Sequence, residues 1–182
     1  MPIMFEMIKN IRRRRVLNEL EATPREKRID NILEVKTIGL ICRLDTEQNW
    51  RILQHFTKVM EGDGKQVSII ALQEQNIDFV VTSQDTTICN RRDAFNFWGI
   101  PSKNSIQHFI SQHYDLLIDT IGGQNFFSQY IALLTPAYLK VAYSTPSEGP
   151  THIFDLIIRG NGQINLKDFI NNIVQYLGMI KK

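Results

Sequence analysis

Two different patterns of apolar and polar residues divide this chain. From residue 37 onward, short runs that are apolar at nearly every position alternate with segments whose apolar residues recur every three or four positions. Residues 37–44 (TIGLICRL) and 66–72 (QVSIIAL) have the composition of strands covered on both faces, and the first is expected at the centre of a sheet. Between them Trp50, Leu53, Phe56 and Met60, joined by Ile52 and Val59, form a broad helical face. Polar residues 45–49 suit the start of that helix, and Gly62 and Gly64 suit its end. Strand, helix and strand in this order make a βαβ unit, whose crossover is right-handed and whose strands run parallel.

The pattern is less regular across residues 73–103. Residues 78–82 and 87–89 read as short strands, and Phe95, Phe97, Trp98, Ile100 and Pro101 form an aromatic knot ending in Gly-Ile-Pro. Residues 102–113 then read as a helix with Ile106, Phe109 and Ile110 inward, and residues 115–119 (DLLID) as a strand. After a turn at Gly122 and Gly123, Phe126, Phe127, Tyr130, Ile131, Leu133 and Leu134 give the next helix its buried side, closed by Pro136. Residues 139–143 and 153–158 are further strands, separated by a polar loop over 144–151 and followed by a turn at 159–162. Leu166, Phe169, Ile170, Ile173, Val174 and Leu177 carry the last helix, with Asn165 and Asp168 as an approximate capping box.

Ahead of this alternation, residues 3–34 contain no glycine and one proline, Pro24. A helix is expected over residues 4–21 and a second, shorter helical piece after Pro24. Within the first, Met4, Met7, Ile8 and Ile11 make one face, and Val16, Leu17 and Leu20 lie on a different side. Between these groups the consecutive Arg12, Arg13, Arg14 and Arg15 point to nearly every side of a helix, at about 100° per residue. A helix lying flat in a membrane surface needs an unbroken apolar face, so this one reads as a two-part helix that packs by one end only. Its partner is the domain itself, another protein or a second copy of the chain. Attachment of the arginine run to an anionic membrane or to nucleic acid is the alternative.

Charge sharpens the division. The chain carries 21 Lys/Arg against 19 Asp/Glu, a net charge of +2. Residues 1–36 hold nine and six of these, whereas residues 37–182 hold twelve and thirteen, so the surplus belongs to the amino-terminal segment. The organisation expected is a basic helical extension over residues 1–35 and an α/β domain over residues 36–182. The small overall charge gives no whole-molecule reason to expect nucleic acid. A length of 182 residues with 43% hydrophobic and 22% charged residues suits one α/β domain and excludes collagen-like, disulfide-framework and broadly disordered chains. Cys42 and Cys89 are too few for a disulfide framework or a four-ligand zinc site. No run reaches the ~20 apolar residues that cross a bilayer, and no secretory signal opens the chain, so the cytoplasm is the expected compartment.

In an open α/β sheet, ligands sit at the carboxyl ends of the strands. That rule selects Arg43, Asp45 and Thr46 after the first strand, Asp119, Thr120, Gly122, Gly123 and Gln124 after the DLLID strand, and Ser144 and Thr145 after the next. These residues share one crevice if the first and DLLID strands are neighbours. Gly122 and Gly123 could present amides to a phosphate or carboxylate, although a tight turn capped by Asn125 is the plainer reading. Asp45 and Asp119 could act as an acid–base pair or hold a cation, but aspartate at a helix start is ordinary capping chemistry. Residues 62–65 (GDGK) fail as a phosphate loop, with Val59 and Gln66 at positions that demand Gly and Ser/Thr. His108 and His113 stand about 140° apart on a helix, unsuited to one metal, and His55 and His152 lack partners. Arg91 and Arg92 could lower the Cys89 thiol pKa, while Cys42 reads as core. No motif calls for a metal or a cofactor.

The segments Phe95 to Pro101 (FNFWGIP), Tyr114 to Asp119 (YDLLID) and Phe154 to Ile158 (FDLII), with the basic first helix, resemble a family of short bacterial proteins of unknown function. That resemblance carries no catalytic residues. The YDLLID strand, its following helix and residues 139–143 are also similar to the amino-terminal half of heptosyltransferase-type glycosyltransferases. It implies a Rossmann-like fold, but those enzymes need a second domain for which this length leaves no room. The fold expected is a three-layer, Rossmann-like α/β domain with a mostly parallel sheet and a helical amino-terminal extension. The function expected is a non-catalytic binding or interaction protein. The alternative is an enzyme or sensor for a small anion, such as a nucleotide or phosphosugar.

Overall fold

The computed structural model describes residues 2–20, 24–81, 85–144, 152–159 and 165–181. Among the described residues, five helices and six strands follow in the order α1 (Pro2–Glu19), β1 (Thr37–Arg43), α2 (Glu47–Gly62), β2 (Gln66–Gln73), β3 (Thr86–Asn90), α3 (Lys103–Ile110), β4 (Tyr114–Asp119), α4 (Phe126–Leu134), β5 (Ala137–Ser144), β6 (Leu156–Arg159) and α5 (Leu166–Gly178). All six strands are parallel, in the order β3-β2-β1-β4-β5-β6. The chain thus starts in the middle, winds to one edge, then returns to β1 and winds to the other. Between β1 and β4 the direction reverses, which is the switch point where a crevice opens at the strand ends.

Strand periodicity divides the core. On β1, Ile38, Leu40 and Cys42 face α2 and α5, while Ile41 faces the layer of α3 and α4. The second face is tight at Gly39, where an added Cβ would stand 2.8 Å from Leu117 Cδ1 and 3.1 Å from both Phe109 and Tyr114. Gly39→Val would force that layer apart, at about 1–3 kcal/mol. Helix starts follow local chemistry: Thr46, Ser102, Asn125 and Asn165 each cap a helix by accepting a backbone amide into the side chain.

Three expectations need correction. Residues 24–31 form no helix, and only a turn at 32–34 interrupts the extended path. The reason is that side chains there bond to distant elements: Arg25 Nη1 donates to the β5 carbonyls of Ala137 and Tyr138 at 3.0 and 3.1 Å, and Asn31 Nδ2 donates to those of Gly178 and Ile180 at the end of α5. Residues 78–81 are loop rather than strand, and Ile77, Phe79 and Val81 pack as irregular chain on the face that carries α2, where Thr82 lies outside the described residues. The last strand begins at Leu156 because Asp155 amide and carboxylate are already engaged with Lys140 of β5. The loop over 144–151 and the turn at 159–162 fall largely outside the described residues.

The first helix packs mainly by its carboxyl-terminal end, where the residue pattern predicts one end only; Phe5 near its start also touches the domain. Val16, Leu17 and Leu20 join the core cluster around α3 and α4. Arg13 Nε donates to the Trp98 carbonyl at 3.1 Å, and its guanidinium lies 5.2 Å from the Phe126 ring centre. The aromatic knot is thus the seat of α1, with Phe5 meeting Phe97 edge to face.

Candidate functional site

The end of β4 lies against the end of β1, with Ile41 opposite Asp119, and β5 flanks it on the far side with Ala142 opposite Asp119. Thr120 locks the junction by donating both its amide and its hydroxyl to the Ile41 carbonyl, at 2.9 and 3.0 Å. Arg43, Asp45, Thr46, Asp119, Thr120, Gly122, Gly123 and Ser144 therefore gather at three adjoining strand ends, as the switch-point rule requires. Gln124 is exposed beyond them, and Thr145 lies outside the described residues.

Asp119 is fully buried at this junction. Its Oδ1 accepts from the Ile121 amide at 2.9 Å and the Ser128 hydroxyl at 2.8 Å, whereas Oδ2 is buried without a hydrogen-bond partner. Burial pushes its pKa up from 3.8 to about 6, against the pull of the Ile121 and Gly122 amides, Ser128 and the Arg43 guanidinium. Ser128 was not among the sequence candidates. It lies one turn into α4, and nothing in its spacing marks it as the partner of a strand-end carboxylate.

Most other groups at the crevice are engaged within the fold. Asp45 Oδ1 accepts from the Thr46 amide at 2.6 Å and from Asn49 Nδ2 at 3.1 Å, so this carboxylate serves the start of α2. Arg43 Nε stands 3.4 Å from Glu74 Oε2, an ion-pair distance without hydrogen-bond alignment. The glycine turn does not cradle an anion: the Gly123 amide donates to the Tyr143 carbonyl, and Asn125 Oδ1 accepts from the amides of Phe127 and Ser128. Gly122 adopts φ +126°, a conformation open mainly to glycine, and that turn is what directs the chain from β4 into α4.

Cys42 is buried in the core; burial, then Asp45 and Asp119, push its thiol pKa up. Burial likewise pushes the Cys89 thiol up to about 12, so Arg91 and Arg92 do not activate it. Among the described residues, no group of three His, Cys, Asp or Glu side chains could hold a metal ion, and no helix is long and apolar enough to cross a membrane.

Two concavities lie away from this crevice. One, of about 950 Å³, runs between α2 and α5, with Ile52, Phe56, Val59, Ile170 and Val174 among its apolar walls and Glu47, Arg51 and Lys167 among its charged ones. The other, of about 450 Å³, opens at the amino ends of the strands beside Lys27, Arg28, Tyr138 and Asp155.

Sheet order, switch point and strand-end carboxylate together define a six-stranded parallel α/β protein of the three-layer, Rossmann-like kind. The chain belongs to the DUF6913 family, a family of unknown function, whose model matches residues 9–180. No curated protein and no solved structure matches it, so the likeness to heptosyltransferases drawn from the YDLLID strand, its helix and residues 139–143 gains no support.

Proposed function

We propose that this protein is a cytoplasmic, non-catalytic binding or interaction protein. The observation that carries this reading is the engagement of the crevice's polar groups with one another. Asp45 and Thr46 serve the start of α2, Asn125 serves the start of α4, and Thr120 and Gly123 serve the neighbouring strands. A catalytic centre instead needs a nucleophile or base with a free lone pair directed at a space that a substrate can fill. The apolar groove between α2 and α5 adds to this reading, because concave apolar surface is what binding modules offer. Turnover assays across hydrolase, transferase and oxidoreductase substrates should return no rate above background. A rate abolished by Asp45→Ala or Asp119→Ala would overturn the proposal.

A second reading, a small anionic ligand such as a nucleotide or phosphosugar at the crevice, is favoured by one feature. The Arg43 guanidinium stands at the switch point, with the loosely aligned Glu74 carboxylate beside it. Such a ligand would sit on the Arg43 guanidinium, at the junction of the β1 and β4 ends. Thermal shift against a metabolite panel separates the readings, since a ligand at a hundred times its Kd adds about 2.7 kcal/mol. A shift that disappears in Arg43→Ala would establish the second reading.

A further inference from the structure

Helix α1 holds the domain mainly through Arg13, Val16 and Leu17 in its carboxyl-terminal half, with Phe5 nearer its start touching Phe97. Its other half presents Met4, Met7, Ile8 and Ile11 to solvent, at 62%, 57%, 43% and 60% exposure. The four are spaced i, i+3, i+4 and i+7, so they form one continuous stripe on the side of α1 away from Val16, Leu17 and Leu20. Phe97, at 69% exposure, stands beside this end of the helix through its edge contact with Phe5. Exposed apolar side chains scattered over a surface are ordinary, but a continuous helical stripe of four is not.

The same outward side changes character one turn later. Arg12, Arg14 and Arg15 are exposed, and at about 100° per residue Arg15 continues the line of the apolar stripe with Arg12 and Arg14 to either side. Arg13 turns inward, to the Trp98 carbonyl and the Phe126 ring, and the Arg12 guanidinium stands 5.7 Å from the Trp98 ring centre. Over α1, Lys9 and four arginines face only Glu6 and Glu19, a surplus of three positive charges, while residues 37–182 are slightly acidic. The stripe from Met4 to Ile11 is about 10 Å long, which matches the ~5–10 Å that interfacial helices sink below the headgroups.

We infer that α1 docks the protein onto an anionic lipid bilayer. Its amino-proximal half enters the surface at an angle, and Arg12, Arg14 and Arg15 meet the headgroup phosphates. The break in the apolar face that argues against a flat-lying helix is what a tilted one requires, because depth then changes along the axis. A second copy of the chain is a poorer occupant. Parallel pairing of two α1 stripes would bring both sets of arginines together, and a stripe of two turns is far smaller than the ~800 Å² per partner of a stable interface. A nucleic acid would use the arginines but leave Met4, Met7, Ile8 and Ile11 in water.

The test is co-sedimentation of the full chain with vesicles of phosphatidylcholine alone and of phosphatidylcholine mixed with phosphatidylserine. Binding to the anionic vesicles should exceed that to the neutral ones by at least ~10-fold, as expected when several arginines approach a charged surface. Arg12→Gln/Arg14→Gln/Arg15→Gln should erase that preference. Met7→Ser/Ile8→Ser/Ile11→Ser should weaken binding ~10-fold or more, from the apolar area it withholds from the bilayer. All six positions are exposed, so an unchanged melting midpoint verifies that each variant is folded. Equal binding to both vesicle types, or full binding by the serine variant, would overturn the inference. So would tight binding of a duplex oligonucleotide with no vesicle binding, or a dimer that the serine variant abolishes in the absence of lipid.

Discussion

The two ends of the strands treat their carboxylates in opposite ways. At the amino end, Asp155 is held by Arg25 at 2.7 Å and Lys27 at 3.0 Å and accepts the Lys140 amide; these partners outweigh burial and lower its pKa. Asp115 there accepts the amides of Lys36 and Thr37. At the carboxyl end Asp119 is more deeply buried, has no cation in hydrogen-bond contact and leaves Oδ2 unpartnered. The amino end is built to hold the chain together, with the segment after Pro24 stitched across it. The carboxyl end carries a group that lowers stability, and such groups collect where a protein binds or reacts.

The largest expected effect tests the amino end. Arg25→Ala removes the main partner of Asp155 and a donor to two β5 carbonyls, and should destabilise the protein by about 3 kcal/mol in urea unfolding. A loss under ~1 kcal/mol would mean the stitching is a surface ornament.

Next comes Asp119→Asn, which should stabilise. Because the folded pKa, about 6, lies above the unfolded 3.8, the native state binds more protons between these values, and stability falls as pH rises from about 4 to about 6. At about 1.4 kcal/mol per pH unit the ceiling is about 3 kcal/mol, fully expressed above pH 6. The asparagine variant should therefore melt higher at pH 7, equal the parent near pH 4, and show a flatter profile between.

Lys140 sharpens the comparison, because it is a buried charge near the amino end. It is 2% exposed, its Nζ donates to the Ala132 carbonyl, and burial, Arg25 and Lys27 pull its pKa down to about 7 despite Asp155. A lysine lowered from 10.5 makes stability rise with pH from about 7 to about 10.5, where the unfolded chain binds the extra proton. Lys140→Met should remove that rise and stabilise the protein at neutral pH by about 1–2 kcal/mol. The smallest effect is Asn125→Ala, a lost cap on α4 worth about 1 kcal/mol by chemical denaturation.

Much of this molecule could be read along the chain. The central place of β1 followed from a run apolar for most of its length, and the final helix from an unbroken helical period with Asn165 ahead of it. Their neighbours alone decide such elements, since apolar period and capping are local properties. Residues 24–31 defeated the same reasoning. Their residues favour helix, but Arg25 and Asn31 reach groups more than a hundred positions away, and those bonds hold the segment extended. The candidate site was legible as a place and not as a chemistry. Strand ends named Arg43, Asp119 and Gly123, yet the pairing of Asp119 with Ser128, the orphaned Oδ2 and the engagement of the Gly123 amide arose only in three dimensions.

What the sequence by itself determined was a parallel α/β domain with a basic first helix whose apolar residues fall on two sides, because hydrophobic period and charge run are written residue by residue. What only the tertiary structure decided was which strand ends meet, which carboxylate is left unsatisfied and which side of α1 stays bare. Those depend on the strand order and on desolvation, and both are properties of the assembled sheet that no single segment contains.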